Sequence, residues 1–441
     1  MLLPLAPLLF PAPPPRAALA FPRSCMSEEP PEQVIRLTKL IVFTDYAAVG
    51  AMRTVLPFYA KALGAAATGV GALEALYGAG QVGGALLLGS VSDARGRKPV
   101  LLASVLGSVI GYAMAGLAVG MGSTSLLLLS RLPVGFSKQT VTASRAIASD
   151  VTAEAQRSHA ISGLVGAMAL GYALGPYVGG LLVDHASAVP QLPAFLCAGA
   201  FVFLAPVIHF RLPETCAATR RPSLPPPPSR QSEPQAPSRA GAPSAWAQPG
   251  LLLLLAACAL PEAAIIAGST ALPLLAIQHL RWDASRLGLF TSVWGLLVGG
   301  LSLGPLSRLL RNDRLTDRTA CILGALLLAT GAAVLAARGT STLLWACLPV
   351  YVPAVSLLRT APAALVTKTA QKSVVGEALG ILDATSSVAR IVTPLLCGIL
   401  FDRVGPSAPF GLQAALSLGG AAALVGGTSA VRRSGAASKE E

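Results

Sequence analysis

GSVSDARGRKP, Gly89 to Pro99, places one acid and three cations in a short link between two long apolar runs. A charged side chain at the centre of a bilayer costs about 2.5–3.5 kcal/mol, so charge this dense belongs beside the hydrocarbon rather than within it. The flanking runs are about 20 residues long, enough at roughly 1.5 Å per residue to cross a hydrocarbon core. The stretch therefore reads as a polar turn joining two membrane helices.

The same pattern recurs along the chain. Of its 441 residues, 53% are hydrophobic and 12% charged, where a soluble domain carries about 25% charged residues. Backbone groups in lipid must bond internally, so the runs are helices and the chain is an all-α membrane protein. The net charge of +13 is spread unevenly. Lys and Arg gather in alternate loops, and no basic stripe with interleaved aromatics appears, which argues against a nucleic-acid partner. With both termini cytoplasmic, about 22 cations fall on the inner side and about 5 outside. The cysteines (25, 197, 216, 258, 321, 347 and 397) and histidines (159, 185, 209 and 279) are scattered. They imply no disulfide framework, metal site or cofactor. A zinc helix, a pair of histidines at ligand spacing and a phosphate-cradling glycine loop are missing from the sequence, so nothing points to an enzyme.

Twelve spans follow, six near 40–59, 70–90, 99–120, 124–148, 160–183 and 192–210, and six near 250–275, 286–307, 318–337, 341–366, 375–400 and 408–430. They group into bundles at 35–210 and 250–430. Residues 1–34 read as a disordered tail: MLLPLAPLLFPAPPPRAALAFP is proline-rich and lacks a basic start, a poor signal peptide, and Met26 offers an alternative start. The linker 211–249 contains PSLPPPPSRQSEPQAPSRAGAPS, which cannot build a core, and 431–441 reads as a cytoplasmic tail.

The two halves echo each other. Leu56-Pro57 answers Leu272-Pro273, Gly83-Gly84 answers Gly299-Gly300, and AQRS (Ala155 to Ser158) answers AQKS (Ala370 to Ser373). Pro176 with Gly180 answers Pro394 with Gly398. A common offset of about 215 residues is what a duplicated six-helix unit produces.

Two six-helix halves, a long central linker and this turn resemble the major facilitator superfamily. Its loop pattern, G-x-x-x-D-x-x-G-R-[RK], is met by Gly89, Asp93, Gly96, Arg97 and Lys98. Arg131 followed by Gly135 is similar to the family's Arg-x-x-x-Gly element in helix 4. GYALGPYVGG, with Gly171, Gly175, Pro176, Gly179 and Gly180, resembles the helix 5 signature of drug–proton antiporters. SRLPVGFSKQTVTASRAIASD and RIVTPLLCGIL are similar to the tetracycline-resistance and organic-cation antiporter branches. The second half departs from the pattern at GPLSRLLRND, where Arg308 stands in place of an Asp.

The resemblance implies two pseudo-symmetric six-helix bundles and alternating-access transport of a small organic solute, with proton antiport. Uniport or symport of a small organic anion is the alternative, as is a receptor or scaffold on a transporter fold. The expected partners are a small-molecule substrate, protons and membrane lipid, and the expected state is a monomer. In the family the polar loop docks on the inner start of helix 11, where an anion meets the positive end of a helix dipole. Arg97 pairing with Asp150 at the inner end of helix 4 would make a latch for one conformation. The plainer reading of this loop is a topogenic cluster with no switching role.

Helix 4 carries Arg131, Lys138 and Arg145 at intervals of seven, nearly one helical face. Cations in a membrane need a wet cavity or paired acids. The candidate acids are Asp45 in helix 1, Glu262 after Pro261 in helix 7, and Asp383 in helix 11, with Arg390 seven residues further on. Arg53 and Arg359 complete the set. Each reads either as lining a substrate and proton path or as a structural ion pair, with Asp45 and Glu262 the candidate proton carriers. The helix 5 glycines read as a cleared face for close packing, against the other half as a seal or against an ordinary neighbour.

Overall fold

The computed structural model describes residues 31–152, 154–185, 188–215, 249–306, 309, 315–370 and 374–437. Twelve membrane helices form two six-helix bundles. The first holds α1 (Pro31–Ala62), α2 (Ala67–Arg95), α3 (Arg97–Gly120), α4 in three pieces (Thr124–Leu129, Arg131–Ser137 and Thr140–Val151), α5 (Glu154–His185) and α6 (Leu192–Arg211). The second holds α7 (Pro249–Leu274), α8 (Ala284–Leu303), α9 (Asp317–Ala337), α10 (Ser341–Ala346 and Leu348–Thr369), α11 (Val375–Arg403) and α12 (Ala408–Ala437). Among the described residues nine of these helices are long and apolar enough to cross a membrane by composition alone.

Local chemistry sets several boundaries. The hydroxyls of Ser123, Thr316 and Thr340 and the Asp283 carboxylate each accept a backbone N–H three residues on, capping α4, α9, α10 and α8. Between α2 and α3 the chain turns on one residue, Gly96, whose φ of 108° is strained for any side chain. Beyond Pro273, α7 widens into a π-helical turn at Leu275–His279.

Inside the first bundle Ile41, Val55, Leu101, Tyr112 and Phe201 are buried together. The outward surface is apolar as well, with Leu86, Phe203 and Phe210 exposed, as lipid requires. Lipid tails are as apolar as leucine, so close packing rather than water exclusion holds such helices. Small residues supply it: a Cβ on Gly84 or Gly135 would run into the Phe136 carbonyl of α4 or the Tyr77 carbonyl of α2.

The halves meet along two crossings, α2 with α11 and α5 with α8. At Gly71, Gly180, Gly288 and Gly398 a Cβ would strike backbone of the opposite half. Toward the face bearing the Gly96 turn the crossings part: Gly166, Gly300, Gly376 and Gly380 meet nothing within 4 Å. The bundles thus converge at the face remote from Gly96, here called the far face, and open toward the Gly96 face.

Three expected boundaries change. Helix α1 begins at Pro31, inside the expected tail 1–34, and α12 runs to Ala437 beyond the expected bundle end at 430. Leu212 and Thr215 are buried, so the first residues of the expected linker 211–249 pack on the bundle. Helix 4 is not one continuous face: Lys138, with ψ of 70°, interrupts it. The leader through residue 30, the linker from 216 to 248, Arg308 and residues 438–441 lie outside the described residues.

Candidate transport pathway

The break in α4 is bonded rather than left open. Ser104 of α3 accepts the Gln139 N–H at 3.2 Å and shares a 2.9 Å hydrogen bond with Thr140. Non-helical backbone at membrane depth persists only where such partners satisfy it. The break turns Lys138 onto α1, where its ammonium donates to Asp45 Oδ1. Asp45 is fully buried, and its Oδ2 has no hydrogen-bond partner. Lys138 Nζ also lies 5.5 Å from the centre of the Tyr46 ring.

Around this pair stand the other first-half cations. The Arg131 guanidinium sits 5.0 Å over the Tyr77 ring, and its buried Nη1 has no hydrogen-bond partner. Arg53 Nη1 donates to the Tyr172 hydroxyl at 2.7 Å, while its Nε lies 3.7 Å from Glu74 Oε1. Tyr77 is within electrostatic reach of Arg131, Asp45 and Arg53, so the groups form one neighbourhood. Tyr46 is within electrostatic reach of Arg145 of α4 and of one second-half cation, Arg359 of α10.

Of the residues singled out by sequence, Asp45, Arg53, Arg131 and Lys138 come together. Glu262, Asp383 and Arg390 do not join them: among the described residues their side chains make no ion pair or hydrogen bond. Glu262 is half-buried in α7, and Asp383 and Arg390 are exposed on α11. Glu74 and Tyr172 went unremarked in the sequence reading. An acid alone in the apolar run of α2 was the available signal for Glu74.

The turn at Gly96 has a partner the sequence did not suggest. The Glu214 carboxylate accepts the backbone N–H groups of Arg97 at 2.9 Å and Lys98 at 3.1 Å. The anion at a helix start is therefore a residue just past α6, and the helix is α3. The expected docking of this turn on the start of α11 falls on side chains outside the described residues. Arg97 Nε lies 3.7 Å from Asp150 Oδ2, which also accepts from the Thr215 hydroxyl at 3.3 Å. Gly89 and Asp93 fall in the last turns of α2, and their side chains lie outside the described residues.

The helix 5 stripe divides between two neighbours. Gly171, Gly175 and Gly179 face Phe43, Ala47 and Ala51 of α1, within the same half. Gly180 and Pro176 meet the other half, at Ala284 and Gly288 of α8. There the Ser292 hydroxyl accepts the Tyr177 N–H at 3.0 Å, next to the donor that Pro176 lacks.

Paired six-helix bundles, parted toward one face over a buried charge cluster, define a multi-pass membrane transporter and not an enzyme. The chain belongs to the Major Facilitator Superfamily, whose profile matches residues 40–353. It is 28% identical over 386 residues to the class E tetracycline resistance protein of Escherichia coli, covering 84% of this chain and 88% of that one. Its fold matches the nucleoside transporter NupG with a TM-score of 0.70 at 14% identity, over 90% of this chain and 98% of that chain. The human organic anion transporter MFSD10 matches with a TM-score of 0.59 at 21% identity, over 90% of this chain and 100% of that chain.

Proposed function

We propose that this chain carries a small organic solute across its membrane by alternating access, in exchange for protons. The observation that carries this reading is the buried Asp45–Lys138 pair at the break in α4, with one carboxylate oxygen unbonded. Protonating Asp45 dissolves the pair, and a cationic or hydrogen-bond-donating solute competes for the same oxygen. Proton and solute then occupy the site in turn, which is antiport. The relationship to tetracycline resistance proteins supports this order. Arg53, Arg131, Glu262, Asp383 and Arg390 line the rest of the path, and the protein works as a monomer in lipid. The Gly96 turn is cytoplasmic, as are both termini, and Gly89, Asp93, Gly96, Arg97, Lys98 and Asp150 form the inner latch there.

A second reading is favoured by the unbonded Arg131 Nη1 and by the Arg359 charge within electrostatic reach of Tyr46. Protonating Asp45 also frees Lys138 for an anionic solute. Proton and anion then move together, as symport. The human organic anion transporter with this fold is consistent with that substrate class.

Reconstitution into liposomes with an internal pH dye decides between them. Organic cations that drive protons the opposite way establish antiport, and organic anions that drag protons along establish symport. Solute flux with no proton movement in either case overturns coupling. Solute binding with no flux favours a receptor.

A further inference from the structure

At the far face, two carboxylates reach from one half to a helix start in the other. Asp184, near the end of α5, accepts the backbone N–H groups of Ala284 at 3.1 Å and Ser285 at 2.8 Å, the first residues of α8. Asp402, near the end of α11, accepts those of Ala67 at 3.0 Å and Thr68 at 2.8 Å, the first residues of α2, and the Thr68 hydroxyl at 2.6 Å. We infer that Asp184 and Asp402 are a matched pair of detachable helix caps that hold the far face shut and set the balance between its closed and open states.

Three observations carry this. The first is the geometry of each cap. The initial N–H groups of a helix have no partner within it and carry the positive end of its dipole, so a carboxylate across two of them is a strong, directional contact. Helix α2 has no cap of its own, since Ala66 offers no side-chain acceptor, and Asp402 is the side chain that meets its first N–H groups. Helix α8 also has a cap of its own, Asp283, which holds the Arg286 N–H, while Asp184 holds those of Ala284 and Ser285.

The second is repetition. Pro176, Gly180 and Asp184 form P-x-x-x-G-x-x-x-D on α5, and Pro394, Gly398 and Asp402 form it again on α11. Residues four apart share a helix face, so one face of each helix carries the glycine that admits the opposite backbone and the acid that caps it. A Cβ on Gly180 would strike the Ala284 carbonyl, and one on Gly398 would strike Ala67 and Thr68.

The third is placement. Both caps join opposite halves at the end where the crossings are tight, and a carrier that alternates must break such contacts to open that end. Lys61 Nζ donating to the Ile277 carbonyl at 3.3 Å is a further inter-half bond at this face.

The inference rests on the alternating-access reading, and its test separates the two. Spin labels at Val189 and Val404 report the far face, and labels at His159 and Thr367 report the Gly96 face, by electron–electron double resonance in nanodiscs. Asp402→Ala should shift the population toward a longer far-face distance by about tenfold, with a matching shortening at the Gly96 face. Asp184→Ala should shift it less, because Asp283 still holds the Arg286 N–H of α8 and because Asp184 lacks the hydroxyl bond that Asp402 has from Thr68. The double variant should shift it by about the product of the two effects. Asp402→Asn, which keeps one of the two acceptor oxygens, should restore part of the closed population. If solute opens the far face of the wild type while both alanine variants match wild-type distances, the caps are packing contacts and the gate is overturned. If neither wild type with solutes nor any variant opens at that face, the gate and the carrier reading both fail.

Discussion

Lys138 donates a hydrogen bond to Asp45 across the junction of α4 and α1, at the point where α4 stops being a helix. The two charges are buried together, so neither has water to fall back on. Stability and proton traffic therefore meet at one contact, and substitution should separate them.

Asp45→Asn leaves the Lys138 ammonium buried without a counter-charge, a defect that costs about 3–5 kcal/mol. Thermal unfolding in detergent should show a marked drop. Adding Lys138→Met should recover most of that loss without restoring solute-dependent proton movement in liposomes. Coupled proton flux in the double variant would remove Asp45 from the coupling mechanism.

Ser104→Ala takes away the partner of the buried Thr140 hydroxyl and one of the two acceptors of the Gln139 N–H, which keeps the Ser137 carbonyl at 2.7 Å. A buried polar group left unsatisfied costs about 1–3 kcal/mol, and here it would loosen the break that aims Lys138. A lower unfolding temperature, with weaker proton coupling than in wild type, is expected. Coupling unchanged at reduced stability would mean that Lys138 keeps its aim without this support.

Glu214→Ala exposes the first N–H groups of α3, at a cost of about 1 kcal/mol. Glu214→Gln keeps one of the two acceptor oxygens and should lose less. Unfolding midpoints of the two variants test this order; equal losses would show that a single neutral acceptor cannot stand in for the carboxylate.

Gly175→Leu and Gly180→Leu lie on one helix yet should fail differently. The first drives a side chain into the Ala47 carbonyl inside one bundle, where overpacking costs about 1–3 kcal/mol. The second meets Ala284 of the other half, and the strain can be relieved by parting the halves at the far face. Unfolding midpoints should fall mainly for Gly175→Leu, and the Val189 to Val404 distance should lengthen mainly for Gly180→Leu. The reverse pattern would contradict this division of the stripe.

Part of the site was legible in the chain. Asp45, Lys138, Arg131 and Arg53 stood out because charge in apolar runs is expensive anywhere in a bilayer. Which cation would meet which acid was not legible, since heptad spacing on α4 assumed a continuous helix and Lys138 breaks it. Glu214 was hidden by composition: it opens a proline-rich stretch, yet its carboxylate caps a helix start 116 positions away. Pro176 with Gly180 was recognised as repeating in Pro394 with Gly398. The acids four residues on have backbone groups as their targets, and these leave no mark in a sequence.

By itself the sequence determined that this is a twelve-helix, duplicated membrane protein with a polar turn after its second helix. Those properties follow from local hydropathy and from the demand that backbone in lipid bond within its own segment. The tertiary structure alone decided the Asp45–Lys138 pairing across 93 positions, the cap from Asp402 to Ala67 across 335, and the face at which the halves close. Each depends on how separate helices cross, and the sequence records what each helix carries but not which neighbour it meets.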